Sequence, residues 1–263
     1  MPIIRRLLPA AAALLALAAA SPALATGDPP PHHHPGTSPY RAVVLAHRPA
    51  AYWRLGEQPS ALVAADETQQ HPGAYVGPPT LGIAGEIWRD ADTAIDLDGL
   101  QTQPLGQFVH VAEDDGLAFP GRAPFTLEAW VQPGGRNDVT RRIFSSEGRD
   151  GGYLLGMRNG ELAFSRYAGG QWSTLSTGVD PTRWSHVAAT YDGTVMRIYV
   201  EGWLAAQGPS WLELADERAD LSIGAKQSRW RFYAGGLDEV AIYPYALSYG
   251  QVHSHARVGG GVR

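Results

Sequence analysis

The sequence contains no cysteine. A disulfide-stapled fold is therefore excluded, and with it a thiolate metal site and a cysteine nucleophile. A cluster of lysine and arginine is also missing. The chain has 21 basic and 26 acidic residues, a formal net charge of −5. An acidic chain without a basic patch has nothing to neutralise phosphates, which argues against nucleic acid or an anionic lipid surface as the main partner. Long apolar runs are absent beyond the N-terminal segment, so no stable membrane insertion is expected of the body of the chain. Neither H-E-x-x-H, G-x-S-x-G nor a phosphate-cradling glycine loop occurs.

What is present begins with Arg5-Arg6, an Ala/Leu run from Leu7 to Ala20, and Ala23-Leu24-Ala25. A charged start, a short apolar stretch and an A-x-A end read as an export leader over residues 1–25, cleaved after Ala25. A secreted, extracellular protein is expected, by the general or the twin-arginine route. A bilayer-spanning helix needs roughly 20 apolar residues, more than this run supplies. Residues 26–40 are rich in proline and histidine and read as an extended linker. Its His32-His33-His34 tract is either a polar spacer or a metal-binding patch. An ordered domain is expected over 41–258, with 259–263 a frayed tail.

Within that domain, short strand-like runs recur between Gly, Pro, Asn and Asp. They are Ala51 to Leu55, Ala94 to Leu97, Gln107 to Val111, Phe125 to Gln132, Arg142 to Ser145 and Tyr153 to Arg158. Others are Glu161 to Tyr167, Gln171 to Leu175, Trp184 to Tyr191, Thr194 to Val200, Leu221 to Gly224 and Gly236 to Tyr243. Asp192-Gly193 and Asn159-Gly160 each read as a two-residue hairpin turn with positive φ at both positions. Phe125, Leu127, Ala129 and Val131 alternate with Thr126, Glu128, Trp130 and Gln132, the pattern of a strand with one buried face. Many such strands and only one helical stretch, Ala246 to Ala256, imply two packed antiparallel sheets with one short C-terminal helix. The glycine pairs Gly134-Gly135, Gly169-Gly170 and Gly235-Gly236 read as turns.

Several segments, taken in order, resemble a known family. They are Ala51-Tyr52-Trp53-Arg54-Leu55-Gly56-Glu57, Asp66 followed by His71-Pro72-Gly73-Ala74-Tyr75-Val76-Gly77, Ala94-Ile95-Asp96-Leu97-Asp98-Gly99, Phe125-Thr126-Leu127-Glu128-Ala129-Trp130-Val131, Arg183-Trp184-Ser185-His186-Val187-Ala188-Ala189-Thr190-Tyr191-Asp192-Gly193, and Gly235-Gly236-Leu237-Asp238-Glu239-Val240-Ala241-Ile242-Tyr243 with Ala246-Leu247-Ser248. Together they are similar to the laminin-G-like, concanavalin A-like lectin/glucanase jelly rolls. The resemblance spans about Ala51 to His255. It implies an all-β, antiparallel two-sheet jelly-roll sandwich and a recognition role more than an enzymatic one. Glu201-Gly202 departs from the family's usual Asp-Gly, and Leu97 replaces its usual aromatic.

The resemblance also implies a structural calcium, held by Asp66, Asp238 and main-chain carbonyls between them. Calcium takes roughly six to eight hard oxygens, which carboxylates, loop carbonyls and water supply. The other reading of these residues is a turn cap at Asp66 and a solvated or arginine-paired Asp238. Glucanases on this fold carry an E-x-D-x-E strand, and retaining glycosidases need two carboxyl groups roughly 5 Å apart. Asp96 and Asp98 share a strand face but lack the third acid, and Glu213, Asp216, Glu217 and Asp220 read as a solvated loop. His186 reads as a hydrogen-bonded core residue, since no nucleophile adjoins it.

Of the eight tryptophans, Trp53, Trp130 and Trp184 fall in strand motifs and are assigned to the core. Trp172, Trp203, Trp211 and Trp230, with Tyr233, fall at strand ends or in loops. They are the candidate ligand-binding residues, because flat aromatic faces beside polar groups suit sugar rings. The function expected is a secreted, non-catalytic module binding glycan or cell-surface material. The alternatives are a glycoside hydrolase or polysaccharide lyase on the same fold, and a protein-adhesion or structural envelope module.

Overall fold

The structure is a computed structural model, describing residues 38–100, 106–112, 115–134, 140–226 and 230–260. The leader expected at residues 1–25, the triple histidine and residues 261–263 of the tail expected over 259–263 lie outside these residues, whereas Gly259 ends the final helix and is buried. Among the described residues, no helix is long and apolar enough to cross a membrane.

Among the described residues, sixteen strands form two eight-stranded antiparallel sheets. In chain order they are β1 (Ala51–Trp53), β2 (Val63–Ala64), β3 (Gly73–Val76), β4 (Thr80–Ala84), β5 (Thr93–Asp98), β6 (Phe108–Val111), β7 (Phe125–Pro133) and β8 (Arg141–Glu147). The rest are β9 (Gly151–Arg158), β10 (Glu161–Ala168), β11 (Gln171–Gly178), β12 (Ser185–Tyr191), β13 (Val195–Val200), β14 (Trp203–Pro209), β15 (Leu221–Ile223) and β16 (Ala234–Tyr243). The first sheet runs β14-β13-β12-β7-β16-β5-β4, with β1 also paired to β16. The second runs β11-β10-β9-β8-β15-β6-β3-β2. Two helices flank them, α1 (Pro39–Ala46) and α2 (Tyr249–Gly259).

The alternation in β7 orients the first sheet. Phe125, Leu127, Ala129 and Val131 enter the core between the sheets, beside Leu155 and Phe164 of the second sheet. Only one face of β7 was expected to be buried, yet its other face is covered too. Trp130 joins Tyr40 and Val44 of α1 and Val252 of α2 in a second apolar cluster. The two helices thus cover the outside of the first sheet, so a sequence pattern read for one interface serves two.

Helix α1 was not expected, although its start carries the usual signals. The Ser38 side chain accepts the Arg41 N–H, Pro39 occupies the first turn, and Tyr40 and Val44 share the buried side. Helix α2 opens with a reciprocal capping box between Ser248 and Gln251. The strands at β2, β3, β4 and β14 also went unanticipated. They are short or largely exposed, and so show little apolar patterning.

Two turn assignments change. Asp192 N–H donates to Val195 O across a turn centred on Gly193 and Thr194, where only Gly193 has positive φ. The Asp192 carboxylate instead accepts the N–H groups of Thr194 and Val195. Gly235-Gly236 is not a turn but part of β16. A Cβ on Gly236 would lie 2.5 Å from Trp184 Cη2, so the absent side chain seats that indole. Asn159-Gly160 and Gly169-Gly170 do form the hairpin turns expected.

A buried polar relay fastens the helices to the sheet. Glu128 of β7 is fully buried, with His186 Nε2 at 2.6 Å and His255 Nδ1 at 2.8 Å from the same carboxylate oxygen. His255 Nε2 in turn lies 2.7 Å from His47 Nδ1 at the end of α1. Burial alone would raise the Glu128 carboxyl, but His255 and His186 outweigh it and hold it well below the usual carboxylate range.

Candidate functional site

The β13–β14 hairpin turns on Glu201 and Gly202, both at positive φ despite the departure from Asp-Gly. It projects Trp203 from the first residue of an edge strand, where its side chain is 60 % exposed. Helix α2 runs past it. His253 lies edge-on to Trp203 at 4.8 Å between ring centres, and Tyr249, one turn earlier, stacks on His253 at 5.5 Å.

Between these elements opens a pocket of about 430 Å³. Its walls include Trp203, Trp184 and the inner Trp130, and its charged lining is Glu86, Arg183, Glu201 and Arg257. Arg183 is engaged by Asp180 at 3.1 Å and more loosely by Glu201 at 3.9 Å. Glu201 Oε1 is shielded and accepts no hydrogen bond among the described residues. The pocket thus combines indole surface, a cationic donor and a carboxylate acceptor, within the volume range of small-ligand sites.

The other aromatic candidates are differently placed. Trp172 pairs with Tyr167 at 4.8 Å on an edge hairpin of the second sheet. Arg122 lies 5.0 Å from the Trp211 ring, and Lys226 and Arg231 each lie 5.2 Å from the Trp230 ring. All three indoles are exposed, but none lines the Trp203 pocket. Tyr233 must be withdrawn as a ligand residue. Its ring is 0 % exposed and packs into the main core, because β16 begins directly after it and carries it between the sheets. Trp53, Trp130 and Trp184 are buried, as assigned. Reasoning from sequence missed Glu86, Arg183, Glu201, His253 and Arg257 as lining of this pocket. The one available hint was the i, i+4 spacing of His253 and Arg257 on the final helix.

The two aspartates expected at calcium have unlike surroundings. Asp66 accepts the N–H groups of Tyr52 and Thr68 on Oδ1, and those of Gln70 and His71 with the Thr68 hydroxyl on Oδ2. These bonds outweigh burial and lower its carboxyl. Both oxygens are spent on capping a turn, so Asp66 does not fit as a metal ligand. Asp238 fits better: it is buried, and its Oδ1 has no hydrogen-bond partner. Burial, with Glu239 and Asp92 beside it, pushes its carboxyl well up. Arg54 is the nearby counter-charge, reaching Asp90 at 2.6 Å, Glu239 at 2.7 Å and Asp92 at 3.0 Å. Among the described residues, no three acidic, histidine or cysteine side chains are grouped to hold a metal.

A two-sheet antiparallel sandwich with a terminal helix over one sheet is the architecture of a concanavalin A-like jelly roll. A family model described as the concanavalin A-like lectin/glucanases superfamily matches residues 113–253, more than half of the sequence. The chain belongs to that superfamily. No curated protein matches it. Among solved structures, the fold is similar to the binding domain of Paraclostridial Mosquitocidal Protein 1, at 14 % identity and a TM-score of 0.64 over 79 % of this chain and 52 % of that one. It is also similar to domain 4 of AbnA, a GH43 extracellular arabinanase from Geobacillus stearothermophilus, in complex with arabinotriose. There the identity is 19 % and the TM-score 0.63, over 79 % of this chain and 98 % of that one. The receptor binding domain of botulinum neurotoxin D aligns at 14 % identity and a TM-score of 0.60, over 79 % and 52 % of the two chains. The chain thus spans about half the length of the toxin domains it matches. At these identities the likeness is one of fold.

Proposed function

We propose that this protein is a secreted, non-catalytic carbohydrate-binding module, and that it takes sugar in the pocket beside Trp203. The observation that carries the reading is the exposed Trp203 indole at the mouth of a 430 Å³ pocket that also offers arginine and glutamate side chains. A pyranose ring presents an apolar face and a rim of hydroxyls, which such a pocket can stack and hydrogen-bond at once. The arabinotriose complex of the similar arabinanase domain supports a saccharide ligand by analogy of fold. Secretion rests on the leader at residues 1–25.

Calcium belongs to this proposal as a fold staple at Asp238 alone of the two aspartates. Main-chain carbonyls and water would complete its oxygen shell, and the ion would offset the surplus of buried carboxylates around Arg54.

Affinity electrophoresis and calorimetry of the exported protein against a polysaccharide panel test the function. Binding that Trp203→Ala weakens about tenfold or more is expected. A wild-type protein that binds no member, or one that releases reducing ends from any of them, overturns the reading.

A further inference from the structure

A second cavity, of about 550 Å³, adjoins the first along helix α2. It is lined by Trp88, Pro39, Gly250, Ser254 and Val258, and it shares His253 and Arg257 with the Trp203 pocket. The helix geometry explains the sharing. Gly250, Ser254 and Val258 form one i, i+4 stripe, whereas His253, Ala256 and Gly260 form the next one round. The side chains of His253 and Arg257 therefore make the ridge between two cavities, each flanked by an exposed indole. Trp88 is held in place from its backbone, whose N–H donates to Gly259 O at 2.7 Å at the end of the helix.

The charges differ between the two halves. Glu86 and Glu201 line only the first cavity, and among the described residues no acid lines the second. Arg183 is engaged by Asp180 and Glu201. The Arg257 side chain is exposed and makes no hydrogen bond or ion pair among the described residues. Arg89 rests 4.3 Å from the Trp88 ring, again without an acidic partner among them. On a chain of net charge −5, this end of the groove carries uncompensated positive charge.

We propose that the two cavities form one groove across helix α2 for an acidic oligosaccharide, with a neutral sugar against Trp203 and a carboxylate- or sulfate-bearing sugar against Trp88, its anion on Arg257. A planar guanidinium matches a carboxylate or sulfate through paired hydrogen bonds, and the two indoles supply successive stacking platforms. The inference rests on the carbohydrate reading of the Trp203 pocket.

The test is calorimetry of the mature protein with matched acidic and neutral ligands: polygalacturonate against its methyl ester, sialyllactose against lactose, and chondroitin sulfate against its desulfated, carboxyl-reduced polymer. At least one acidic member should bind about tenfold more tightly than its neutral match, and lose that advantage in high salt. Arg257→Gln should abolish the difference, bringing each acidic ligand to the affinity of its neutral match in that variant. Trp88→Ala should weaken the acidic ligand, and Trp203→Ala should weaken both, with unchanged circular dichroism in every variant. Equal binding of acidic and neutral matches, or an acidic preference that survives Arg257→Gln and Trp88→Ala, overturns the acidic groove and leaves carbohydrate binding standing. No binding of any saccharide overturns both readings. Concentration-dependent dimerisation lost in Trp88→Ala would assign the groove to a second copy of the chain, and overturn the inference as well.

Discussion

Glu128→Gln perturbs the buried relay that fastens the helices to the first sheet. Glu128 sits at 0 % exposure with two histidine nitrogens on one oxygen, at 2.6 and 2.8 Å. Glutamine keeps the shape and removes the charge. One of its two terminal atoms is then an N–H₂ group facing a ring that expects an acceptor. Hydrogen bonds to a charged group contribute about 1.5–3 kcal/mol each and neutral ones about 0.5–1.5, while breaking a buried pair costs about 3–5 kcal/mol. Two weakened bonds therefore predict a loss of about 2–4 kcal/mol in unfolding free energy. For a domain of this size, each kcal/mol moves the melting temperature by roughly 2–4 °C.

The loss should also depend on pH. The folded Glu128 carboxyl lies well below its unfolded value of about 4.3, so its contribution is complete above that value and is lost as pH falls toward the folded one. The gap between wild type and Glu128→Gln should accordingly be wide at pH 7 and shrink on acidification below about pH 4. Guanidinium unfolding at several pH values, followed by tryptophan fluorescence, measures it. Trp130 stands 5.4 Å from His186 and reports on the relay directly. A midpoint at pH 7 unchanged by the substitution would refute the reasoning, because it would mean that Glu128 carries no charge on which the fold depends.

Three further outcomes are expected. Chelation should lower the melting temperature of the wild type by several degrees, since a ligand at 100 times its Kd stabilises by about 2.7 kcal/mol. Asp238→Asn should lose that response while Asp66→Asn, which breaks a turn cap, stays chelator-sensitive but less stable; equal wild-type melts with and without chelator would remove calcium from the reading. Gly236→Ala should cost about 1–3 kcal/mol by overpacking and weaken saccharide binding, because the new methyl group meets the Trp184 ring in the pocket wall; titration calorimetry reads the second effect. Tyr233→Phe should leave both stability and binding nearly unchanged, since its buried hydroxyl has no hydrogen-bond partner among the described residues; a large loss of binding would restore Tyr233 to the site.

The strands legible in the sequence are those in which one side faces the core between the sheets. Phe125 to Pro133 and Ser185 to Tyr191 alternate because two environments lie on their two faces. The edge strand Trp203–Pro209 was missed because most of it faces solvent and nothing enforces a pattern. The turn at Gly193 was misplaced by one residue because Asp-Gly can serve either as the turn itself or as a cap followed by its glycine, and only strand register distinguishes them.

The candidate site divides the same way. Chemical type is local, so the sequence by itself determined the two-sheet class, the core tryptophans and Trp203 as an aromatic candidate. Proximity is not local. Only the tertiary structure decided that Tyr233 turns inward, that Asp66 spends both oxygens on its own turn, and that Arg183, Glu201 and a helix some fifty residues farther on enclose one pocket. The physical reason is that β14 and α2 meet through the packing of the helix on the sheet. That packing depends on buried contacts such as Gly259 against Trp130 and His255 against Glu128, partners far apart along the chain that no local pattern connects.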